Sequence, residues 1–157
     1  MATDKDFPPA DWQRIEAAPF MAGLAVTYGD LSNKRAIADE AAATGDAIEG
    51  ATASASEIVR TIAARFAAGQ RPTIGSIPNK PEEALASLVD GCKAAHALVK
   101  AKAPGEADAY ARFLLDTAKA AAGGAREGGF IGVGIQKVSE KEQMALAAIA
   151  LALGLPA

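Results

Sequence analysis

The stretch from residue 81 to residue 105 reads PEEALASLVDGCKAAHALVKAKAPG, and it decides the fold class of the chain. Pro81 and the two glutamates after it are typical of a first helical turn, because proline needs no N–H partner there and carboxylates meet the positive end of the helix dipole. Apolar residues then form one stripe at helical spacing: Leu85, Leu88, Val89, Cys92, Ala95 and Val99. Pro104 and Gly105 end the pattern, so the stretch predicts one amphipathic helix.

Further helices are predicted after this stretch. A helix that returns antiparallel to the first is indicated by Tyr110, Phe113, Leu114 and Ala118. Ser139 and Glu142 form a Ser-x-x-Glu capping box, which starts a final helix. The side of that helix predicted to face the core carries Leu146, Ile149 and Leu153.

Before residue 81 the same spacing predicts four helices. Asp11 is expected to cap the first, which Pro19 interrupts because an internal proline removes a helical hydrogen bond. A second helix follows from Phe20 to Tyr28, and Ser32 is expected to cap a third that runs toward Ile48. The fourth carries Ile58, Val59, Ile62 and Phe66.

The composition also favours helices. Half of the 157 residues are hydrophobic but only 5% are aromatic, and alanine, the best helix former, is abundant. The connector between Gly69 and Pro81 is too short to divide two domains. We therefore predict an all-α fold, a compact bundle of roughly five to seven helices, with a tail at residues 1–10 and a single domain at residues 11–157.

Charge and cysteine content exclude several classes of protein. The net charge of −3 and the absence of a basic stripe argue against a nucleic-acid binder. A single cysteine, Cys92, cannot form an intrachain disulfide. The polar N-terminus lacks a signal sequence, and the longest apolar run, Met144 to Leu155, is about 12 residues against about 20 for a membrane span. We expect a cytoplasmic protein that does not enter a membrane.

The segment from Gly123 to Gly134 is the first candidate site. It holds six glycines, and since each costs about 1 kcal/mol relative to alanine inside a helix, we predict a loop. Its amides and the start of the Ser139 helix can together bind an anion or another small ligand. The candidate binding residues are Glu127, Gly128, Gly129, Gly132, Gly134, Lys137 and Ser139, with Arg126 as a further polar group.

This loop matches no established phosphate-binding motif. Neither a P-loop nor a dinucleotide fingerprint is present, because Gly132-Val133-Gly134 leads into Ile135-Gln136-Lys137. The favoured interpretation is a structural loop that folds Phe130 and Ile131 over one end of the bundle.

Cys92 and His96 are the second candidate, because four-residue spacing places two soft metal ligands on one helix face. Zinc takes three or four protein ligands, and the chain has no other cysteine or histidine. We favour a packed thiol and a boundary imidazole. No metal, cofactor or catalytic residue is predicted.

An acidic group is the third candidate: Asp39, Glu40, Asp46 and Glu49. These carboxylates could line a groove as metal or acid-base groups, but a di-iron bundle requires two Glu-x-x-His pairs and the chain has one histidine. Solvated helix charge is the favoured interpretation.

Two alanine stretches, at residues 41–43 and 118–122, would allow close packing between helices of one chain or of two chains. A homo-oligomer or a protein partner is therefore also expected.

The residues from Glu127 to Gly134, EGGFIGVG, followed by Val138-Ser139-Glu140 and Glu142, resemble the C-terminal pattern of an uncharacterised family of small all-helical bacterial proteins. Weaker similarity runs through Tyr110 to Ala122. At Asn33 the chain departs from the glycine that relatives often carry. The resemblance implies an all-helical fold and no particular activity.

The first functional hypothesis is a helical binding or interaction protein without catalytic activity. The alternative, from another class, is an enzyme or a small-molecule or anion receptor that uses the Gly123 to Gly134 loop and the start of the Ser139 helix.

Overall fold

The computed structural model of the chain describes residues 2–32, 34–127 and 138–156. In these ranges the chain forms six α-helices and no strand, which confirms the predicted all-α bundle. They are α1 (Pro9–Gly29), α2 (Lys34–Glu49), α3 (Glu57–Ala67), α4 (Pro81–Lys102), α5 (Ala107–Glu127) and α6 (Glu140–Leu153). Short 3-10 helices occupy Asp4–Asp6, Gly50–Ala53 and Pro104–Glu106.

Helix α1 lies at the centre of the bundle. It packs mainly against α4 and α5, and also contacts α2 and α6, while α2 packs mainly against α5. Helices α4 and α5 follow one another in the chain, yet each contacts α1 much more than it contacts the other. The core is therefore organised around one central helix rather than around the α4–α5 pair.

The predicted break at Pro19 is wrong, because α1 is one helix of 21 residues with Pro19 inside it. Proline has no N–H to donate to the carbonyl four residues earlier, which is that of Ile15. The hydroxyl of Tyr110, fully buried on α5, donates to this Ile15 oxygen at 2.8 Å. A side chain from another helix thus satisfies the acceptor that the proline leaves open, and the helix continues.

The start of α1 also differs from the prediction. The helix begins at Pro9, with Pro8 as its N-cap residue and no side-chain cap. Asp11 therefore lies in the first turn, where its carboxylate is 3.9 Å from the ammonium of Lys102. Phe7, just before the helix, is buried against Trp12.

Helix α5 extends further than the glycine content predicted. Gly123 and Gly124 lie inside it, so the loop does not begin at Gly123; residues 128–134 of the predicted loop lie outside the described residues. A Cβ atom at Gly124 would lie 2.7 Å from the backbone oxygen of Asp39. Glycine is needed here because α5 and α2 approach too closely for any side chain, and this packing overrides the low helix propensity.

The predicted cap at Ser32 is wrong, because α2 begins at Lys34 and the Ser32 hydroxyl donates to the Asp30 carboxylate at 2.5 Å. The predicted starts of α4 and α6 are confirmed. Pro81 is the first residue of α4, and Ser139 caps α6 in a capping box with Glu142. Ile149 and Leu153 of α6 are buried, and Leu146 is half-buried. Among the described helices none is long and apolar enough to cross a membrane.

The connector between α3 and α4 is held by few interactions. After a left-handed Gly69, with φ of 87°, residues 72–79 run over the bundle without regular structure. Within the described ranges these eight residues make no hydrogen bond, and Ile77 is the one that packs partly against the core. Few bonds hold the segment in place, so its local stability is low.

Candidate functional site

The structure describes only part of the site predicted around the glycine-rich segment. Gly128, Gly129, Gly132, Gly134 and Lys137 lie outside the described residues. Glu127 is the last residue of α5, but the described part of the chain does not include its side chain or that of Arg126. Ser139 is the one predicted binding residue whose side chain belongs to the described part of the chain.

Ser139 uses its polar groups within the protein. Its hydroxyl oxygen accepts from the N–H of Glu142 at 3.1 Å, and its own N–H donates to the Glu142 carboxylate at 3.2 Å. Its side chain also faces Asp30. The pKa of Asp30 is lowered by hydrogen bonds from the hydroxyl and N–H of Ser32, and further by the Ser139 side chain.

The start of α6 therefore lies in an acidic environment. Besides Asp30, the side chain of Glu142 is buried there, and this burial raises its pKa. Two carboxyl groups beside the first turn of α6 weigh against an anionic ligand at this end of the helix.

Glu40 of α2 adds a third carboxyl group and corrects the prediction of a solvated acidic face. Asp39, Asp46 and Glu49 are exposed as expected, but only 1% of Glu40 is exposed. Burial raises the pKa of Glu40, and the negative charges of Glu142 and Asp30 add to the effect.

One oxygen of Glu40 is engaged by α1. The hydroxyl of Thr27 donates to Oε2 of Glu40 at 2.5 Å, a bond that lowers the pKa but does not outweigh burial. The other oxygen, Oε1, makes no hydrogen bond in the described part of the chain. Glu40 thus retains hydrogen-bond acceptor capacity inside the bundle.

A groove of about 200 Å³ lies between α1 and α2, beside this carboxyl group and under the connector. Its walls are mainly apolar, and they are formed by Phe20, Gly23, Leu24, Thr27, Ile37, Ala41, Thr44 and Ile74. At Gly23 the two helices nearly touch, since a Cβ atom there would lie 2.3 Å from the Thr44 hydroxyl oxygen. The polar groups of the groove are the two threonine hydroxyls.

Both hydroxyls have already donated their single proton. Thr27 donates to the carboxylate of Glu40, and Thr44 donates to the backbone oxygen of the same residue at 2.8 Å. Each oxygen therefore offers only lone pairs to the groove. A bound molecule would have to donate an N–H or O–H to satisfy them.

The spacing of the buried residues of α2 is a sequence signal for this buried polar site. Four residues of α2 are buried at an exact spacing of four: Ala36, Glu40, Thr44 and Ile48. Glu40 and Thr44 thus belong to the buried stripe of α2 rather than to its solvated face. The contact of Glu40 and Thr44 with Thr27 could not be predicted, because it depends on how α1 packs against α2.

Cys92 and His96 occupy the places expected for packing residues. Cys92 is fully buried with its Sγ 3.5 Å from the Ala18 oxygen, and burial raises the pKa of its thiol to about 12. A protonated thiol is neither a good nucleophile nor a metal ligand. His96 is half-buried, and no cluster of three histidine, cysteine or acidic side chains suited to a metal ion occurs in the described ranges.

Comparison with known protein families, with curated proteins and with solved structures finds no match.

Proposed function

We propose that this chain is a cytoplasmic, non-catalytic binding protein whose α1–α2 groove holds a small, mainly apolar molecule carrying a hydrogen-bond donor. The observation that supports the proposal is the pair of threonine hydroxyls, Thr27 and Thr44, which can only accept hydrogen bonds from a ligand in an otherwise apolar groove. The buried carboxyl group of Glu40 behind them favours a neutral or cationic donor over an anion.

The volume of the groove limits the size of the ligand. At about 200 Å³ it exceeds the ~150 Å³ of an engineered cavity that binds benzene, and it is smaller than the ~300–1,000 Å³ of pockets for drug-sized molecules. A single ring or a short chain with one amine or hydroxyl group is the ligand class that fits.

Hexylamine, hexanol and hexanoate test this proposal, because they share one tail and differ in the head group. We expect thermal stabilisation that grows with concentration for the amine and the alcohol, and little for the carboxylate. Ala41→Trp should abolish the shift by filling the groove, whereas Ala42→Trp, on an exposed residue outside it, should not. The proposal is rejected if no donor stabilises the protein or if both variants behave alike.

A second candidate function, binding to a protein partner or to another copy of the chain, rests on α6. Met144 and Leu151 are 71% and 82% exposed, and their seven-residue spacing places them on one helix face with Ala147 between them. Exposed apolar residues grouped in this way mark interaction surfaces. The function proposed here is self-association through α6.

Sedimentation equilibrium over a range of concentrations tests the α6 proposal. Wild-type protein should associate as its concentration rises, and the Met144→Lys, Leu151→Lys double variant should stay monomeric. Gln143→Lys, an exposed change on the same helix, serves as the control. Wild-type protein that is monomeric throughout would contradict self-association.

A further inference from the structure

A second groove lies on the other side of α1, between α1 and α4. Its volume is about 300 Å³, at the lower limit of typical ligand pockets. The connector between α3 and α4 forms one wall, and Ile74 of the connector lines both this groove and the α1–α2 groove. The two grooves are therefore separate sites on either side of one segment.

The chemical character of this groove differs from that of the first. Its apolar surface includes Met21 of α1, Leu88 of α4 and Ile77 of the connector. The lining residues with polar side chains are Arg14, Ser76 and Ser87. No carboxylate lines it, so the charge presented to a ligand is positive.

Arg14 has no partner among the described residues. Arg60 pairs with Glu57, Arg65 pairs with Glu16, and Arg71 lies over the ring of Phe66 at 4.0 Å. Exposed Arg112, like Arg14, has no partner among the described residues, but it lies outside the groove. Arg14 makes no ion pair or hydrogen bond in those ranges, and neither hydroxyl of Ser76 and Ser87 is bonded there. Arg14, Ser76 and Ser87 are exposed residues of the groove lining, and their side-chain donors are available to a ligand.

The floor of the groove is closed by tight packing between the two helices. A Cβ atom at Gly91 of α4 would lie 2.6 Å from the sulfur of Met21 on α1. The thioether therefore lies directly against the α4 backbone. An aliphatic chain lying in the groove would contact this sulfur and the side chains of Leu88 and Ile77.

We propose that the α1–α4 groove binds an amphiphilic anion, an oxyanion head group on an aliphatic tail. The planar guanidinium of Arg14 pairs with two oxygens of the head group, and Ser76 and Ser87 donate to the same oxyanion. The tail covers Met21, Leu88 and Ile77. This site goes beyond the proposed function, because it takes a ligand of opposite polarity in a different groove.

Octanoate is the probe that tests the proposal, with octanol as its uncharged match and octyl phosphate as the alternative oxyanion. Calorimetric titration below the micellar concentration should detect octanoate, with octanol binding at least tenfold more weakly. Octyl phosphate binding more tightly than octanoate would assign the head group as a phosphate, and the reverse order would assign it as a carboxylate. Octanol binding as tightly as octanoate would overturn the proposal.

Matched variants locate the binding. Arg14→Gln should weaken octanoate binding by about tenfold or more, because it removes a charged hydrogen-bond donor. Arg112→Gln makes the same charge change at an exposed position outside the groove and should leave the affinity unchanged. An equal loss of octanoate affinity in both variants would show that the protein attracts the anion only through its overall charge, and would contradict the assigned site.

A second pair of variants tests whether the aliphatic tail of octanoate lies in the groove. Ala94→Leu, on a lining residue, should reduce octanoate binding, and Ala97→Leu, exposed on the same helix, should not. Ala41→Trp fills the other groove and should not affect octanoate. Because the two grooves take different probes and variants, failure at one leaves the other separately testable.

Discussion

Glu40 is a carboxyl group inside a core built mainly of alanine and other apolar side chains. Burial and the charges of Glu142 and Asp30 all disfavour its ionised form, which is why its pKa is raised. An ionised group in such a place costs stability at neutral pH. Residues with perturbed pKa values cluster at binding sites, so this cost is consistent with a functional role for the neighbouring groove.

Glu40→Gln should therefore increase the free energy of unfolding at pH 7, since an amide carries no charge and its oxygen still accepts from Thr27. The folded pKa lies above the unfolded value of 4.5, so the group's favourable contribution is present below 4.5 and is lost as pH rises through the folded pKa. The gain from the variant should thus shrink between pH 7 and pH 4. Urea denaturation of wild type and variant at pH 7 and at pH 4 measures this gain in the free energy of unfolding.

Asp39→Asn is the matched control for this prediction, because it removes the same charge from the exposed neighbour. It should change stability by less than about 0.5 kcal/mol. A Glu40→Gln variant that is less stable than wild type at pH 7 would show that the carboxylate is a required acceptor instead.

His96 provides a second residue-level prediction, with the opposite dependence on pH. Burial and the charge of Lys100 lower its pKa, and its Nε2 atom is buried without a hydrogen-bond partner in the described ranges. The neutral imidazole is fully favourable above the unfolded pKa of 6.5, and stability is lost as pH falls from there through the folded pKa.

His96→Leu should therefore lose less stability than wild type between pH 7 and pH 5. Because the chain has one histidine, an NMR titration of the wild-type imidazole needs no assignment. A titration midpoint at or above 6.5 would contradict this account.

At the scale of elements, α1 shows how one helix depends on another for its backbone hydrogen bonds. The Ile15 oxygen loses its helical partner at Pro19 and gains the hydroxyl of Tyr110 from α5. Removing that hydroxyl leaves a buried acceptor unsatisfied, which costs about 1–3 kcal/mol.

Tyr110→Phe should consequently lower the free energy of unfolding by about 1–3 kcal/mol in the wild-type background. Pro19→Ala restores a backbone N–H that can reach the Ile15 oxygen, so in that background Tyr110→Phe should cost less. Urea denaturation of the four proteins gives the coupling. If the change in unfolding free energy of the double variant equals the sum of the two single changes within about 0.5 kcal/mol, the two positions are independent.

The adjacent glycines of α5 form a natural matched pair. Gly123→Ala should raise the melting temperature, because a Cβ atom there meets nothing within 4 Å and alanine favours the helix by about 1 kcal/mol. Gly124→Ala should lower it, because its Cβ atom would lie 2.7 Å from the Asp39 oxygen. Thermal unfolding measures both, and two variants that shift in the same direction would contradict the close approach of α5 and α2.

The sequence predicted the elements whose signals are local. Pro81 and the Ser139–Glu142 pair start helices because each satisfies N-terminal backbone groups within a few residues. The continuity of α1 through Pro19 and the helical state of Gly124 could not be predicted, because a second helix determines each.

The same limit applies to the candidate sites. Ser139 was predicted from its capping box, whereas the α1–α2 groove was missed because Thr27 and Thr44 come together only when the two helices pack. Arg14 was missed for a related reason: a lone arginine becomes a site only when another helix and the connector enclose it.

At the scale of the whole molecule, the halves of the chain are interleaved. The first half supplies α1, α2 and α3, and the second supplies α4, α5 and α6. Helix α1 packs mainly on α4 and α5, and α2 packs mainly on α5, so the largest contacts join one half to the other. Neither half can bury its apolar surface alone.

The connector that joins these halves makes no hydrogen bond over residues 72–79 in the described part of the chain. Thermolysin, which cleaves before large apolar residues, should therefore cut at Ile74 while the fold persists. The two fragments should co-elute in size-exclusion chromatography under native conditions and separate only in denaturant. Fragments that separate under native conditions would contradict the persistence of the fold after cleavage. The protein would then be a natural split scaffold, in which two separately made pieces regain one fold by complementation.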